Sequence, residues 1–313
     1  MTSRREFLHS SALALLAACA SVPRVGAGRG RLPLGFSTLG CPQWSWQQIL
    51  DFAVRHDFAA LELRGLQETV DITQHPDLAP ARLPEVRQQL ADRGLTVVCL
   101  GASARMHETD AAARAAQLDE ARRYIDLAHA LGTPYVRVFG DRYPPGEPRE
   151  ATRERVAATL RELGERARDQ GVTVLIESHG DFTDTASLLE ILQRADSPAV
   201  ALLWDAHNMF VATAEAPADS VRQLGRWIRH THLKDSVPAG TPPRRYVLTG
   251  TGEIPVREQV EALAQAGYRG FYSFEWEKRW HPEIEEPEVA IQHYADVASE
   301  YLRQAGVREL VRQ

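Results

Sequence analysis

The chain has 313 residues, of which 44% are hydrophobic and 25% are charged, a composition typical of a globular protein that can bury a sizeable core. Its formal net charge of −6 argues against a nucleic-acid partner, because such binding depends on clustered lysine and arginine side chains. A protein that acts on a small molecule, including an anionic one, is compatible with these limits.

Residues 1–20 are predicted to form an export signal. Residues 3–8, SRREFL, resemble the twin-arginine export motif through Arg4 and Arg5, and the apolar residues 11–18 that follow are too few to span a bilayer as a mature helix. A basic tail before a short helix is the competing interpretation. Export by the twin-arginine machinery would place the protein in the periplasm. That route carries folded proteins, which suits a protein that takes up a metal ion before export.

The sequence around Cys19 leaves two ways of processing this signal. Residues 16–19, LAAC, resemble a bacterial lipobox, in which Cys19 would be lipidated and would anchor the mature chain to the membrane. Cleavage after residues 18–20, ACA, is the alternative, because small residues at this spacing suit a signal peptidase. Cys41 and Cys99 remain in the body of the chain and, without CxxC spacing, are predicted to be core thiols.

After a linker at residues 21–33, short apolar runs alternate with longer stretches of helical periodicity. The predicted strands are residues 34–36, 60–63, 96–100, 135–139, 173–176, 201–204, 228–233 and 270–274. The predicted helices are residues 46–56, 82–93, 111–131, 149–170, 185–195, 217–227, 256–266 and 288–305. Glycines such as Gly94 and Gly132 stand where a helix would stop before the next strand.

This alternation of strand and helix predicts a parallel sheet covered by helices. Eight such units over residues 34–313 fit a single-domain α/β fold, the (β/α)8 TIM barrel, for which about 250 residues are typical. A doubly wound open sheet is the alternative, but no GxGxxG follows a predicted strand.

Functional side chains of such a barrel gather at the carboxyl ends of its strands. The last four predicted strands end in or lead directly into Glu177, Asp205, His232 and Glu275, and so bring these four side chains to one rim. Three converging carboxylates would repel one another unless a cation neutralises them, so a divalent metal ion is the economical explanation. Oxygen ligands with one imidazole suit Mn²⁺ first, with Mg²⁺, Co²⁺, Fe²⁺ or Zn²⁺ as alternatives.

Each of these residues also has a purely structural interpretation. Glu177 or Glu275 could pair with an arginine, Asp205 could cap the following helix, and His232 could be a hydrogen-bonded core histidine. Their occurrence together at successive strand ends favours the metal site.

Five segments carry a resemblance to a known family. They are LIESHG at 175–180, LLWDAHNM at 202–209, HTHLKD at 230–235, GTGEIP at 250–255 and SFEWE at 273–277. In this order and spacing the chain resembles the xylose isomerase-like TIM barrel superfamily, in particular its sugar phosphate isomerase/epimerase families. The likeness covers most of the chain after the predicted signal.

The resemblance implies roles for particular residues. Glu177, Asp205, His232 and Glu275 would hold the metal, and Glu177 and Glu275 would also be the catalytic acid/base pair on opposite faces of the substrate. Abstracting a proton beside a carbonyl needs a Lewis acid for the resulting enediolate and a carboxylate near the C–H bond.

Substrate contacts are expected from a second group of side chains. The candidates are Arg137, His179, His207, Asn208 and Lys234. Family members often carry histidine at the third position after the metal-binding aspartate, where this chain has Asn208 preceded by His207, so that role is open between the two. Arg64 and Glu62, at the end of the second strand, could pair with each other.

The leading functional prediction is a metal-dependent isomerase or epimerase that acts on a sugar, a keto-sugar or a related polyol. Export favours an unphosphorylated substrate, because sugar phosphates are mainly intracellular. Loss of a β-hydroxyl from the same enediolate would instead make a lyase or dehydratase for a 3-keto-sugar, keto-glycoside or inosose. A non-catalytic sugar-binding lipoprotein is the third hypothesis. Family members often form homo-oligomers, but no feature of the sequence marks an interface.

Overall fold

The structure is a computed structural model that describes residues 30–241 and 243–310. The twin-arginine segment and Cys19 lie outside the described residues, so export and lipidation stay predictions. Within the described ranges, no helix combines the length and apolar character needed to cross a membrane.

Eight parallel strands close into a barrel, which confirms the predicted fold class and excludes the open sheet. Seven of them come first in the chain: β1 (Leu34–Ser37), β2 (Ala60–Leu63), β3 (Thr96–Arg105), β4 (Tyr135–Phe139), β5 (Thr173–Glu177), β6 (Val200–Asp205) and β7 (Ile228–Leu233). An antiparallel ribbon follows, made of β8 (Asp235–Pro238) and β9 (Arg244–Val247), and then the last barrel strand, β10 (Tyr272–Phe274). β1 pairs with β2 on one side and β10 on the other, which closes the ring.

Helices cover the outside of the barrel. They are α1 (Trp46–Arg55), α2 (Leu83–Arg93), α3 (Ala111–Leu131), α4 (Arg149–Asp169), α5 (Thr185–Ala195), α6 (Ala206–Thr213), α7 (Pro217–Leu224), α8 (Val256–Gln265) and α9 (Pro287–Gln304). A capping box of Ser45 and Gln48 begins α1. Gly94 and Gly132 end α2 and α3 with φ of 60° and 76°, a left-handed conformation that glycine adopts without steric cost. The helix stops predicted at these two glycines are therefore correct.

The described part of the chain differs from the predicted element order in two places. Helix α6 starts directly after β6, because the Asp205 side chain accepts a hydrogen bond from the Asn208 amide and caps a new helix there. The β8–β9 ribbon was not predicted, because its strands of four residues each are short and largely polar. Smaller differences concern element ends, such as β3 continuing to Arg105 and α7 ending at Leu224.

The inside of the barrel has an apolar layer beneath a charged one. One cluster of buried apolar side chains contains Ala60, Val98, Cys99, Leu175, Ala201 and Leu203. Leu175 and Leu203 stand two residues before Glu177 and Asp205, so strand alternation puts each pair on the same inward face. The predicted site residues therefore lie on an apolar floor, at the carboxyl ends of the strands.

Candidate metal centre and active site

The four predicted metal ligands lie together at the carboxyl end of the barrel. One ligand atom from each of Glu177, Asp205, His232 and Glu275 lies within 4.8 Å of the others, and all four residues are buried. Strand pairing explains this, because His232 is in register with Asp205 on β6 and with Ser273, two residues before Glu275, on β10. The strand order β10, β7, β6, β5 places Glu275 and Glu177 at the two ends of the arc.

His232 is oriented by a carboxylate on the far side of its ring. Its Nε2 lies 2.7 Å from Glu62 Oε2, so Glu62 accepts the Nε2–H hydrogen bond. Its Nδ1 faces the cluster, 3.2 Å from Glu275 Oε2 and 3.5 Å from Glu177 Oε1. That buried Nδ1 has no hydrogen-bond partner. A carboxylate that holds one ring nitrogen while the other faces the ligand group is the usual support of a metal-binding histidine.

The charge balance at this histidine favours a cation. Burial by itself lowers the pKa of His232, but Glu275 and Glu62 outweigh burial and hold the pKa well above its ordinary value. A proton on Nδ1 and a metal ion would therefore compete for the same place. Three carboxylates, one imidazole and their spacing fit a divalent metal ion.

Lys234 lies in the middle of the carboxylates. Its Nζ is 2.6 Å from Asp205 Oδ2 and 3.0 Å from Glu277 Oε1, and it also donates to Glu275. Burial lowers the pKa of Lys234, but these carboxylates raise it well above the ordinary value. The three N–H donors of the ammonium group thus have protein partners, and Lys234 neutralises the acidic cluster. Its predicted contact with substrate stays a prediction.

Asp205 combines the two roles that the sequence left as alternatives. Its Oδ1 accepts the Asn208 amide at 2.9 Å and caps α6, while its Oδ2 faces Lys234 and the cluster. Burial raises the pKa of Asp205, and Glu275 and Glu177 add to the effect against the opposing charge of Lys234. Because the cap holds Oδ1, the carboxylate presents Oδ2 to the site in a fixed orientation.

Arg137 is engaged with the protein. Its Nε lies 3.1 Å from Glu177 Oε2, its Nη1 donates to the Ala102 carbonyl at 3.0 Å, and its guanidinium stacks over the Phe139 ring. Burial raises the pKa of Glu177, but Arg137 and His232 together outweigh burial and lower that pKa below the ordinary value. The contacts favour a role for Arg137 in holding Glu177 as a carboxylate. His179, half-buried against Phe139 with a free Nδ1, is better placed for a ligand.

His207 is held at both ring nitrogens. Its Nε2 lies 2.7 Å from Ser236 Oγ, which accepts a hydrogen bond from Arg244 Nε, and its Nδ1 lies 3.4 Å from Asn208 Oδ1. Burial, then the charge of Lys234, lower the pKa of His207 to about 3, so the ring is neutral near pH 7. Asn208 is the more exposed of the two candidates and therefore the better placed for substrate.

Asp235, the last residue of HTHLKD, organises the loop that follows. Its Oδ2 accepts the amides of Gly250 and Gly252, each at 2.9 Å, and its Oδ1 accepts those of Ser236 at 2.8 Å and Ile254 at 3.1 Å. The GTGEIP segment is thus tied to the start of β8 by one buried carboxylate. This explains the aspartate without assigning it a part in the chemistry.

Three residues around the site were not predicted to belong to it: Glu62, His230 and Tyr246. Glu62 accepts hydrogen bonds from His230 as well as His232, and the same-face spacing of the two histidines was the available signal. The pairing of Glu62 with Arg64, considered from the sequence, does not occur. Tyr246, on the unpredicted ribbon, lies with its ring 5.4 Å from that of His207 and 5.1 Å from that of His281.

Comparisons with known proteins agree with the fold. The model of the family described as xylose isomerase-like TIM barrel matches residues 50–301. A search of curated proteins finds no match. Among solved structures, the IOLI protein with a bound zinc atom has a TM-score of 0.73 at 17% identity and covers 88% of this chain and 99% of its own.

Two solved structures of proteins named as enzymes are also similar to this chain. The probable 3-DHS dehydratase AsbF from Bacillus anthracis has a TM-score of 0.72 at 19% identity, covering 86% of this chain and 99% of its own. L-ribulose 3-epimerase has a TM-score of 0.70 at 21% identity, covering 87% of this chain and 95% of its own. At these identities the likeness shows the fold alone, whereas the family match extends over most of the chain. This chain therefore belongs to the xylose isomerase-like TIM barrel family.

Proposed function

We propose that this protein is a divalent-metal-dependent isomerase or epimerase for a sugar, a keto-sugar or a related polyol. The observation that carries the proposal is the buried cluster of Glu177, Asp205, His232 and Glu275, in which the two glutamates occupy opposite ends of the arc. A substrate lying across the cluster would have a carboxylate on either side. Similar folds in proteins titled as an epimerase and a probable dehydratase support this choice of chemistry.

A divalent metal held by these four side chains would polarise the substrate carbonyl and stabilise the charge of an enediolate. The remaining chemistry falls to the two glutamates. One carboxylate takes the proton from the carbon beside the carbonyl, and the other returns a proton from the opposite face, which inverts the centre. Return to the neighbouring carbon would interconvert aldose and ketose.

The neighbours of both glutamates keep them ready to accept a proton. Burial raises the pKa of Glu275, but His232 and Lys234 outweigh burial and hold it well below the ordinary value. Arg137 acts in the same direction on Glu177. Both side chains are therefore carboxylates near pH 7, so either can act as the general base, and its partner must take up a proton from solvent before it can return one to the substrate.

A lyase or dehydratase acting on a 3-keto-sugar, keto-glycoside or inosose is the second candidate. Glu277 favours it, because this fourth carboxyl group lies outside the ligand cluster, 3.0 Å from Lys234, with its side chain 13% exposed. Elimination needs an acid for the departing hydroxyl in addition to a base, and Glu277 is in place to serve as that acid.

The test is metal analysis followed by proton exchange. We expect protein from Ser21 onward to bind about one Mn, Mg, Co, Fe or Zn ion per chain, and the loaded protein to exchange substrate hydrogen in D₂O when screened against keto-sugars. Glu275→Gln and Glu177→Gln should lower metal content and abolish exchange, because each removes a ligand and a base. Glu258→Gln, at an exposed position of α8, is the matched control and should change neither.

Mass analysis of the products separates the candidates. A product of unchanged mass supports the isomerase or epimerase, and loss of water supports the lyase. A chain that stays metal-free after incubation with these ions would rule out both and favour a non-catalytic sugar-binding protein.

A further inference from the structure

The side of the barrel mouth formed by β2, β3 and β4 contains an arginine that the proposed chemistry does not use. Arg64 directly follows β2 and is only 7% exposed. Its Nη1 is buried and has no hydrogen-bond partner. Glu62, the carboxylate nearest in sequence, is occupied by His230 and His232.

No carboxylate among the described residues lies within ion-pair distance of the Arg64 guanidinium. Arg137, next to it, differs in this respect because its Nε lies 3.1 Å from Glu177 Oε2. Burial, followed by repulsion from Arg137, lowers the pKa of Arg64 to about 10, which leaves the group charged near pH 7. A buried charge without a partner is costly to keep and therefore needs an explanation.

Position connects Arg64 to the candidate active site. A Cβ placed on Gly101 would lie 2.7 Å from Arg137 Nη2 and 2.8 Å from Arg64 Cδ, so the two side chains share the space above this glycine. Gly101 is in register with Arg137 on β4, whose side chain reaches Glu177. Glu275 and Glu177 also raise the pKa of Arg64, so its guanidinium lies within electrostatic reach of both proposed catalytic carboxylates.

A third guanidinium, that of Arg279, packs against Gly65, the residue after Arg64. A Cβ on Gly65, which has φ of +74°, would lie 3.1 Å from Arg279 Nε and Nη2. Arg279 donates through Nη2 to the Gln67 carbonyl, and its Nε is a buried donor without a hydrogen-bond partner. Burial lowers the pKa of Arg279 and the interactions that oppose burial are those with Glu68 and Cys41, so Arg64 is the one of the two that lies close to the proposed catalytic carboxylates.

We propose that Arg64 binds an oxyanion group of the substrate, either a carboxylate or a phosphate, so that the substrate is an acidic sugar rather than a neutral one. The planar guanidinium suits two parallel hydrogen bonds to such a group. The identity of the ligand as a sugar rests on the proposed function, whereas the oxyanion site rests on the unpaired arginine. A bound anion would supply the partner that residues 30–241 and 243–310 do not provide for Arg64.

Binding of matched ketohexoses tests the proposal. Titration calorimetry on the metal-loaded protein would compare D-fructose, D-fructuronate and D-fructose 6-phosphate, with inorganic phosphate as a fourth ligand. We expect one acidic sugar to bind at least about tenfold more tightly than D-fructose, the usual size of a charged hydrogen bond. Preference for D-fructuronate would identify a carboxylate, and preference for the 6-phosphate would identify a phosphate ester.

Substitution of Arg64 assigns the preference to this side chain. Arg64→Gln should remove it, Arg64→Lys should retain part of it, and Arg87→Gln, at an exposed arginine of α2, should leave it intact. Equal affinity for the three sugars, or a preference that survives Arg64→Gln, would overturn the proposal.

Stability without ligand supplies a second readout. Arg64→Met keeps an apolar stem and removes an unpaired charge, so the melting temperature should rise. A clear fall would show that Arg64 serves the fold and would overturn the proposal. Hydrogen exchange of D-fructose by a protein that shows no Arg64-dependent preference for either acidic sugar would leave the isomerase intact and refute the anion site. An acidic sugar that binds through Arg64 without hydrogen exchange or chemical change would support the anion site and refute the proposed isomerase.

Discussion

The two ring nitrogens of His232 have different surroundings, because Glu62 binds Nε2 and leaves Nδ1 facing the acidic cluster. Glu62 Oε2 lies 2.8 Å from His230 Nε2 and 2.7 Å from His232 Nε2, and its Oε1 accepts from Ser37 Oγ at 3.2 Å. An ionised carboxylate accepts hydrogen bonds but cannot donate them. Glu62 therefore fixes the proton of His232 on Nε2 and leaves Nδ1 facing the cluster.

Glu62→Gln should weaken metal binding without unfolding the barrel. The amide keeps the size of the side chain, but its NH₂ group can donate to Nε2 and so move the histidine proton to Nδ1. We expect metal affinity to fall about 10- to 100-fold, the usual effect of losing such a partner, measured by competition with a chelating dye. Ser37→Ala, which removes the weaker contact to Glu62 and a 3.4 Å hydrogen bond from the Leu39 amide, is the control and should have a much smaller effect on metal affinity. Unchanged metal affinity in Glu62→Gln would refute this role.

The sequence predicted the four proposed ligands because each lies at or next to the end of a strand. It did not predict Glu62 as the partner of His230 and His232. These two histidines lie 168 and 170 positions after Glu62 in the sequence, and the contacts form only when the barrel closes. Local pattern says nothing about which inward side chain meets which. For the same reason the sequence could not show that Arg64 lacks a carboxylate partner.

At the scale of elements, the loop after the ribbon depends on one glycine. A Cβ on Gly252 would lie 2.2 Å from Asp235 Oδ1 and 2.7 Å from the Ser236 carbonyl oxygen, so no larger residue fits while Asp235 accepts the Gly252 amide. The close approach of backbone and carboxylate explains why this position needs glycine.

Gly252→Ala should therefore displace the loop. We expect a loss of about 1–3 kcal/mol in the free energy of unfolding, the usual range for an inserted methyl group that must force its neighbours apart, measured by urea denaturation. Gly240→Ala is the matched control, because a Cβ there meets no atom within 4 Å, and it should change stability by less than about 0.5 kcal/mol. Similar losses in the two variants would contradict the described role of Asp235.

The barrel strands were predictable because each is a short apolar run between turn residues, whereas the β8–β9 ribbon has no such run. Its inner contacts are polar, as where Arg244 donates to Ser236, and Tyr246 is its main aromatic residue. Helix α6 escaped prediction for another reason. The helix starts because Asp205 Oδ1 accepts a hydrogen bond from the Asn208 amide, and the sequence alone does not show that this bond forms.

At the scale of the molecule, the proposed export can be tested apart from the barrel. Replacing Arg4 and Arg5 by lysine should retain the chain in the cytoplasm if the twin-arginine route carries it, as measured by fractionation of expressing cells. Cys19→Ser should release an otherwise membrane-bound protein if Cys19 is lipidated. A chain that reaches the periplasm with both lysines would refute the proposed route. If Cys19→Ser leaves the distribution between membrane and soluble fractions unchanged, cleavage of the signal without lipidation is favoured.

The proposed metal ligands and the unpaired arginine come from different parts of the chain. Glu177, Asp205, His232 and Glu275 belong to β5 and later elements, whereas Arg64 follows β2. A lineage could thus exchange one substrate for another through substitutions around the second and third strands while inheriting the metal-binding half unchanged. An engineer seeking a neutral-sugar enzyme from this scaffold would accordingly vary Arg64 and its neighbours but keep Glu62 and Arg137, which hold His232 and Glu177 in place.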